Sequence, residues 1–94
     1  MIELNGHLRC RTEAEADLVR LYLSRHLELT RAEPGCIVFE VTPEEDGLTW
    51  AVHERFVDQA AFDAHQARAA TSDWARQTAD IPRDYTVDEI DQQD

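Results

Sequence analysis

The sequence predicts an α+β fold whose elements follow the order strand, helix, strand, strand, helix, strand. Three observations predict it. Apolar and polar residues alternate from Ile2 to Cys10, apolar residues recur at helical spacing after Thr12, and two more alternating stretches flank an acidic Pro- and Gly-containing turn at 42–47. A chain of 94 residues is expected to form one domain, residues 1–94.

The first strand and the first helix are predicted from local pattern. The strand has one face to bury, formed by Ile2, Leu4, Gly6, Leu8 and Cys10. Thr12 to Glu15 form a capping box, so a helix is expected to begin there and to run to about Ala32. The predicted buried stripe of this helix is Leu18, Leu21, Tyr22, Arg25 and Leu29, widened by Val19, Leu23 and Leu27. His26 lies off that stripe and is expected to be an exposed surface histidine.

A hairpin is predicted next. Pro34 and Gly35 end the helix, and the strand from Cys36 to Val41 is apolar on both faces except for Glu40. In this strand Ile37, Phe39 and Val41 are expected to share a face. After the turn, the third strand is expected to place five residues on one face: Leu48, Trp50, Val52, Glu54 and Phe56.

The remaining residues predict a second helical segment and a last strand. Asp58 is suited to cap a helix whose inward face carries Phe62 and His65. A second helical stretch at 72–79 and a strand at 85–90 are expected to follow. The last four residues, 91–94, are expected to fray.

This order of elements is that of the ferredoxin-like fold, in which an antiparallel four-stranded sheet carries both helices on one face. The other face of the sheet is then left bare. Because the second strand is apolar on both sides, we expect a second copy of the chain to cover that bare face, which predicts a homodimer.

Composition and charge exclude several classes of function. The formal net charge of −11 disfavours binding to nucleic acid and to anionic membrane surfaces. All nine basic residues are Arg, so neither a lysine Schiff base nor a phosphate-loop lysine is possible. The chain has no apolar run near the roughly 20 residues that span a bilayer and no signal-like start, so cytoplasmic location is expected. Cys10 and Cys36 are expected to be a buried pair of free structural cysteines.

A set of short motifs between residues 33 and 65 resembles the antibiotic biosynthesis monooxygenase, or quinol monooxygenase-like, domain family. The motifs are Glu33-Pro34-Gly35-Cys36, Phe39-Glu40-Val41, Glu54-Arg55-Phe56, Asp58, Ala61-Phe62 and Ala64-His65. The resemblance covers about residues 2–90 and implies a dimeric α/β barrel. It also implies oxygenation of quinols or polycyclic phenols without a cofactor, although relatives degrade haem or isomerise small sugar-like signals. Many relatives carry a second histidine where this chain has Ser72-Asp73-Trp74.

His65 and Glu54 are the candidate catalytic residues. His65 follows Phe62 by three positions, so it faces the sheet and can accept the proton of a phenol. Glu54 shares a strand face with Trp50, and a carboxylate in such surroundings needs a partner. We hypothesise a hydrogen bond between Glu54 and His65. The alternatives are a purely structural histidine, and an ion pair of Glu54 with Arg55 or Arg68.

Further side chains are candidates for contact with a small aromatic substrate. Asn5, His7 and His53 project from the first and third strands, on the face opposite Leu4, and can either line a pocket or serve an interface or solvent. Four aromatic residues can pack in the core or wall a flat cavity: Trp50, Trp74, Phe39 and Tyr22. No metal site and no cofactor motif is recognised in the sequence.

Two functions of different classes follow. The first is a cofactor-independent monooxygenase, in which a pocket histidine deprotonates a quinol or polycyclic phenol. The second is a small-ligand binding or assembly dimer without turnover. An open apolar pocket with converging polar groups favours the enzyme, whereas a cavity filled by Trp74 and Phe62 favours the binding module. Haem degradation is disfavoured because Trp74 follows His65, the reverse of the order in haem-degrading relatives.

Overall fold

The computed structural model describes residues 1–90 and confirms the ferredoxin-like α+β fold. Its elements are β1 (Ile2–Arg9), α1 (Glu13–Arg31), β2 (Cys36–Pro43), β3 (Thr49–Phe56), α2 (Gln59–Ala70), α3 (Asp73–Thr78) and β4 (Arg83–Glu89). The second helical segment is therefore divided into two helices. The fraying expected for residues 91–94 lies outside the described residues.

The four strands form one antiparallel sheet in the order β2-β3-β1-β4. In this register Glu54 of β3 lies between Leu4 of β1 and Phe39 of β2. Directly paired residues of neighbouring strands share a face of the sheet. Glu54 is therefore surrounded by apolar residues on the face that the helices cover, whereas its neighbours His53 and Arg55 lie on the other face.

Helix α1 begins as predicted, but it is rotated about its axis relative to the prediction. The Thr12 hydroxyl accepts from the Glu15 amide at 3.2 Å, and the Glu15 carboxylate accepts from the Arg11 amide at 2.7 Å, one residue before the cap. The buried residues of the helix are Ala16, Val19, His26 and Thr30. The predicted stripe is thus wrong in part, because Leu21 is 70% exposed.

The predicted exposure of His26 is also wrong, since only 5% of this residue is accessible. The small side chains of Ala16 and Thr30 allow the same side of α1 to approach the sheet. Trp74 of α3 then covers His26 from the side, with the two rings stacked at 5.0 Å.

A β-bulge changes the predicted faces of β2. Cys36 pairs with Phe56 and Val38 pairs with Arg55, so Ile37 is the extra residue between them. Cys36 therefore shares the helix-covered face with Phe39, and Ile37 is 49% exposed instead of sharing that face.

Two caps and one close approach position α2 and α3. Asp58 accepts from the Ala61 amide at 2.8 Å and begins α2, and Ser72 accepts from the Ala75 amide at 3.1 Å and begins α3. A Cβ at Gly35 would lie 2.3 Å from the Cβ of Ala61. The segment between α1 and β2 therefore packs directly on the first turn of α2, which is possible because residue 35 lacks a side chain.

Cys10 and Cys36 are both free, as predicted, but only Cys10 is buried, and Cys36 is partly exposed. None of the helices within residues 1–90 has the length and apolar character needed to cross a membrane.

Candidate functional site

A cavity of about 320 Å³ lies between the helix-covered face of the sheet and the helices. This volume falls at the lower end of the roughly 300–1,000 Å³ range of ligand pockets. Three polar side chains of its lining are buried: His26 of α1, Glu54 of β3 and His65 of α2. Most of the remaining lining is apolar and includes Phe39, Val41, Val52, Ala69 and Trp74.

His65 is held by Glu33, the residue that precedes the Pro34-Gly35 turn. The Nδ1 atom of His65 lies 2.8 Å from Oε1 of Glu33. A carboxylate only accepts hydrogen bonds, so Nδ1 carries the proton and Nε2 is left with a free lone pair. That Nε2 atom lies 3.8 Å from Oε1 of Glu54.

The surroundings of His65 keep its imidazole neutral but allow it to accept a proton. Burial lowers the pKa of His65, and the hydrogen bond and charge of Glu33 oppose that shift. The ring is only 3% exposed and packs against Phe56 at 4.9 Å and Phe39 at 5.5 Å. Its Nε2 is therefore a fixed base within the cavity.

Glu54 is buried without a partner. Its Oε1 atom has no hydrogen-bond partner among residues 1–90, and the residue is 6% exposed. Burial, followed by the charge of Glu33, raises the pKa of Glu54 to about 7. Near neutral pH, both the acid and the carboxylate forms of this side chain are therefore populated.

The predicted hydrogen bond between Glu54 and His65 is wrong, because 3.8 Å exceeds hydrogen-bond distance. The alternative ion pairs are wrong as well. Arg55 points to the opposite face of the sheet and pairs with Glu3 at 2.6 Å, and Arg68 lies 3.4 Å from Glu33. The partner of His65 is Glu33, which the sequence analysis did not identify as a site residue.

His26 is the second residue that the sequence analysis missed. Its ring stacks on Trp74 at 5.0 Å, meets the edge of Phe39 at 5.3 Å and lies 6.0 Å from the His65 ring. Burial, followed by the nearby charge of Arg68, lowers the pKa of His26 to about 3. The cavity thus contains a second histidine, supplied by α1 instead of the segment after His65. Its spacing of seven from Val19 places both residues on one side of α1, but apolar residues at similar spacings on the other sides obscure this signal.

The predicted aromatic residues are divided among three places. Phe39 and Trp74 line the cavity of His65. Trp50 lies in the hydrophobic core, 3% exposed, beneath the guanidinium of Arg20. Tyr22 lines a neighbouring cavity of about 310 Å³ between α1 and the start of α3, and His26 and Trp74 are part of the lining of both cavities.

Asn5, His7 and His53 lie on the face of the sheet opposite the cavity of His65. Asn5 and His53 are paired across β1 and β3, and both line a shallow hollow of about 330 Å³ together with His7. The Nε2 atom of His53 lies 3.2 Å from Glu3, and Nδ1 of His7 lies 3.4 Å from Asp84. The structure does not bring these three residues to His65, and their role in binding stays a prediction.

The buried polar groups of the cavity can perform acid–base chemistry. His65 presents an unprotonated nitrogen, Glu54 can hold or release a proton near neutral pH, and His26 stays neutral. Within residues 1–90 no three His, Cys, Asp or Glu side chains are grouped so that they could hold a metal ion.

Comparison with known proteins identifies a family. The model of the antibiotic biosynthesis monooxygenase family matches residues 1–77. This match includes β1 to α2, most of α3 and the residues Glu33, Glu54 and His65. No curated protein matches the chain.

Solved structures share the fold at low sequence identity. Rv0793 from Mycobacterium tuberculosis superposes with a TM-score of 0.81 at 21% identity, covering 98% of this chain and 96% of that one. A candidate antibiotic biosynthesis monooxygenase from Nitrosomonas europaea gives 0.81 at 18% identity, covering 95% and 97%. Another from Deinococcus radiodurans gives 0.74 at 20% identity, covering 99% and 95%. At these identities the likeness shows the fold alone.

Proposed function

The chain belongs to the antibiotic biosynthesis monooxygenase family, and we propose that it is a cofactor-independent monooxygenase that oxidises a quinol or a polycyclic phenol. One observation carries the proposal. His65 is fixed by Glu33 with its unprotonated Nε2 inside a largely apolar cavity. A neutral imidazole in such a position can remove the hydroxyl proton of an aromatic substrate.

The first step is deprotonation of the substrate. Nε2 of His65 takes the phenolic proton, and the Glu33 carboxylate at 2.8 Å stabilises the imidazolium that forms. The largely apolar lining offers the phenolate few hydrogen-bond partners, so it is less solvated than in water and gives up an electron more readily. Phe39 and Trp74 present flat surfaces suited to an aromatic ring.

The following steps use dioxygen as the second substrate. The phenolate transfers one electron to dioxygen, and the aryloxyl radical and superoxide combine at a ring carbon that bears hydrogen. The peroxide takes a proton from the His65 imidazolium. His65, neutral again, takes the carbon-bound proton as the O–O bond breaks, which leaves a quinone carbonyl and hydroxide. Glu54 in its acid form protonates the hydroxide to water and then regains its proton from the His65 imidazolium, whose Nε2 lies 3.8 Å from Oε1 of Glu54.

The state of the cavity supports the enzyme over a binding module. Trp74 stands at the cavity wall, and Phe62 packs on Phe56 at 5.7 Å in the core, so a space of about 320 Å³ is left. The cavity is also the place where Glu54 and His65 converge. A pocket of this size favours a compact substrate of few rings.

We also propose that the active species is a homodimer joined through the bare face of the sheet. Val38 and Ala51 lie on that face, and Ile37 of the bulge is 49% exposed beside it. Light scattering coupled to size exclusion should give a dimer for the wild type and a monomer for Val38→Arg. Leu21→Arg, which changes an apolar residue 70% exposed on α1, should stay dimeric. A dimer for both variants would contradict this interface.

Oxygen uptake with isotope-labelled dioxygen tests the proposed reaction. Among a panel of quinols and polycyclic phenols, we expect at least one substrate to be oxidised without added metal or flavin. Its product should contain one labelled oxygen atom, and the other labelled atom should be found in water. Uptake equal to the protein-free control across the panel would contradict the monooxygenase and favour the binding module.

A further inference from the structure

His26 is enclosed by aromatic rings, and the proposed reaction assigns it no role. It is 5% exposed, and its ring is fixed between the parallel indole of Trp74 and the perpendicular ring of Phe39. Its Nδ1 atom is fully enclosed and has no hydrogen-bond partner among residues 1–90. His26 nevertheless lines both this cavity and the neighbouring one of about 310 Å³, and because Nδ1 is enclosed, Nε2 is the ring nitrogen left to meet a ligand.

The position of the proton on His26 follows from these surroundings. A neutral imidazole carries one N–H and one free lone pair. A buried N–H without an acceptor costs about 1–3 kcal/mol, so the proton is better placed on Nε2, where a ligand can accept it. In His65 the bond to Glu33 fixes the proton on Nδ1 instead. The two histidines therefore present opposite groups at Nε2, an acceptor on His65 and a donor on His26.

We propose that His26 is a specificity-determining residue that donates a hydrogen bond from Nε2 to a second oxygen atom of the substrate, while His65 removes the proton from the first. The ring centres lie 6.0 Å apart, so one small molecule can contact both. This assignment rests on the proposed function. With both histidines engaged, aromatic compounds that carry two oxygen functions, such as quinols, are expected to be better substrates than simple phenols.

The neutral charge state of His26 suits a residue that donates a hydrogen bond without giving up its proton. Burial and the nearby positive charge of Arg68 hold its pKa far below neutrality, so the ring stays neutral throughout the reaction. A neutral, immobile N–H stabilises charge on an oxygen without losing its own proton. His65 and His26 thus have separate tasks despite their identical side chains.

Binding of a matched pair of ligands tests the donor directly. The probes are 1-tetralone, which has one carbonyl acceptor, and tetralin, its hydrocarbon counterpart, each titrated by amide chemical shifts that also report folding. His26→Phe keeps an aromatic ring against Trp74 but lacks the N–H, and should bind 1-tetralone about fivefold more weakly, with tetralin within twofold. His26→Gln retains an amide N–H and should recover most of the affinity for 1-tetralone. The proposal would be overturned if His26→Phe lost affinity equally for both ligands or for neither of them. It would also be overturned if the wild type did not bind 1-tetralone.

The wild-type protein provides a test that needs no variant. Ring nitrogen chemical shifts should show the proton of His26 on Nε2 and that of His65 on Nδ1, and 1-tetralone should shift Nε2 of His26. A proton on Nδ1 of His26 would overturn the assignment even if His26→Phe did not fold.

Turnover separates this inference from the proposed function. If the wild type oxidises 1,4-dihydroxynaphthalene in preference to 1-naphthol, His26→Phe should reduce the ratio of the two kcat/KM values about fivefold. An unchanged ratio with normal turnover would overturn the role of His26 and leave the oxygenase standing. The opposite outcome is also informative. If the protein shows no oxygen uptake but loses its preference for 1-tetralone over tetralin in His26→Phe, the role of His26 as donor would stand and the oxygenase would fail.

Discussion

Oε1 of Glu33 lies 2.8 Å from Nδ1 of His65, joining the end of α1 to the middle of α2. This contact fixes the tautomer of His65 and directs its free nitrogen toward Glu54. The same Glu33 oxygen is 3.4 Å from Arg68, so the carboxylate is held from a second side. The proposed reaction depends on this arrangement.

Glu33 should control the basicity of His65. Glu33→Gln keeps an oxygen acceptor for Nδ1 but removes the charge that raises the pKa of His65, so that pKa should fall further below its ordinary value. Titration of the His65 ring by NMR measures it. Glu54→Gln is the matched comparison and should change this pKa less, because Glu54 makes no hydrogen bond to the ring. A larger effect of Glu54→Gln would contradict the assigned partner.

Gly35 should be required for the placement of Glu33. Gly35→Ala puts a methyl group 2.3 Å from the Cβ of Ala61, and overpacking of this kind costs about 1–3 kcal/mol. Ala61→Gly removes the obstructing methyl group and should by itself cost about 1 kcal/mol in α2. In the double variant the cost of Gly35→Ala should fall by at least about 1 kcal/mol. The free energies of unfolding are measured with urea. If the changes of the two single variants simply add up in the double variant, the side chains at 35 and 61 do not clash.

Glu54 should make the protein less stable as the pH rises. Its folded-state pKa of about 7 lies above the ordinary value of 4.5, so its contribution to stability is complete below pH 4.5 and is lost as the pH rises through 7. Between pH 4 and pH 8 the free energy of unfolding should fall by about 3 kcal/mol more in the wild type than in Glu54→Gln. Parallel pH profiles of the two proteins would show that Glu54 is not held in its acid form.

His26 should have the opposite effect on the acid side. Its folded-state pKa of about 3 lies below the ordinary 6.5, so its contribution to stability is present above pH 6.5 and is lost as the pH falls toward 3. Between pH 7.5 and pH 4.5 the wild type should lose about 2–3 kcal/mol more than His26→Phe. If both proteins lose the same amount, His26 is protonated in the folded state.

Local patterns predicted most of the fold because they depend on residues close together in the chain. The alternation in β1 and β3 and the caps at Thr12 and Asp58 are signals of this kind. They also placed His65 on the inward side of α2, where it is buried.

The rest of the site could not be predicted because it depends on tertiary contacts. Apolar residues surround α1, so their spacing alone did not fix which side faces the sheet, and His26 was assigned to the wrong side. The contact of Glu33 with His65 joins residues 32 positions apart, and no local pattern records it. The bulge at Ile37 likewise arises from the pairing of β2 with β3.

The most direct test of the central claim is the rate of oxygen uptake with the best substrate of the panel, measured for the wild type and for His65→Ala after both are shown to be folded. Asp63→Ala, at an exposed position of the same helix, is the matched control. We expect His65→Ala to lower the rate at least tenfold, which corresponds to about 1.4 kcal/mol of barrier, and the control to stay within about twofold of the wild type. An unchanged rate in His65→Ala would contradict the role of His65 as the base.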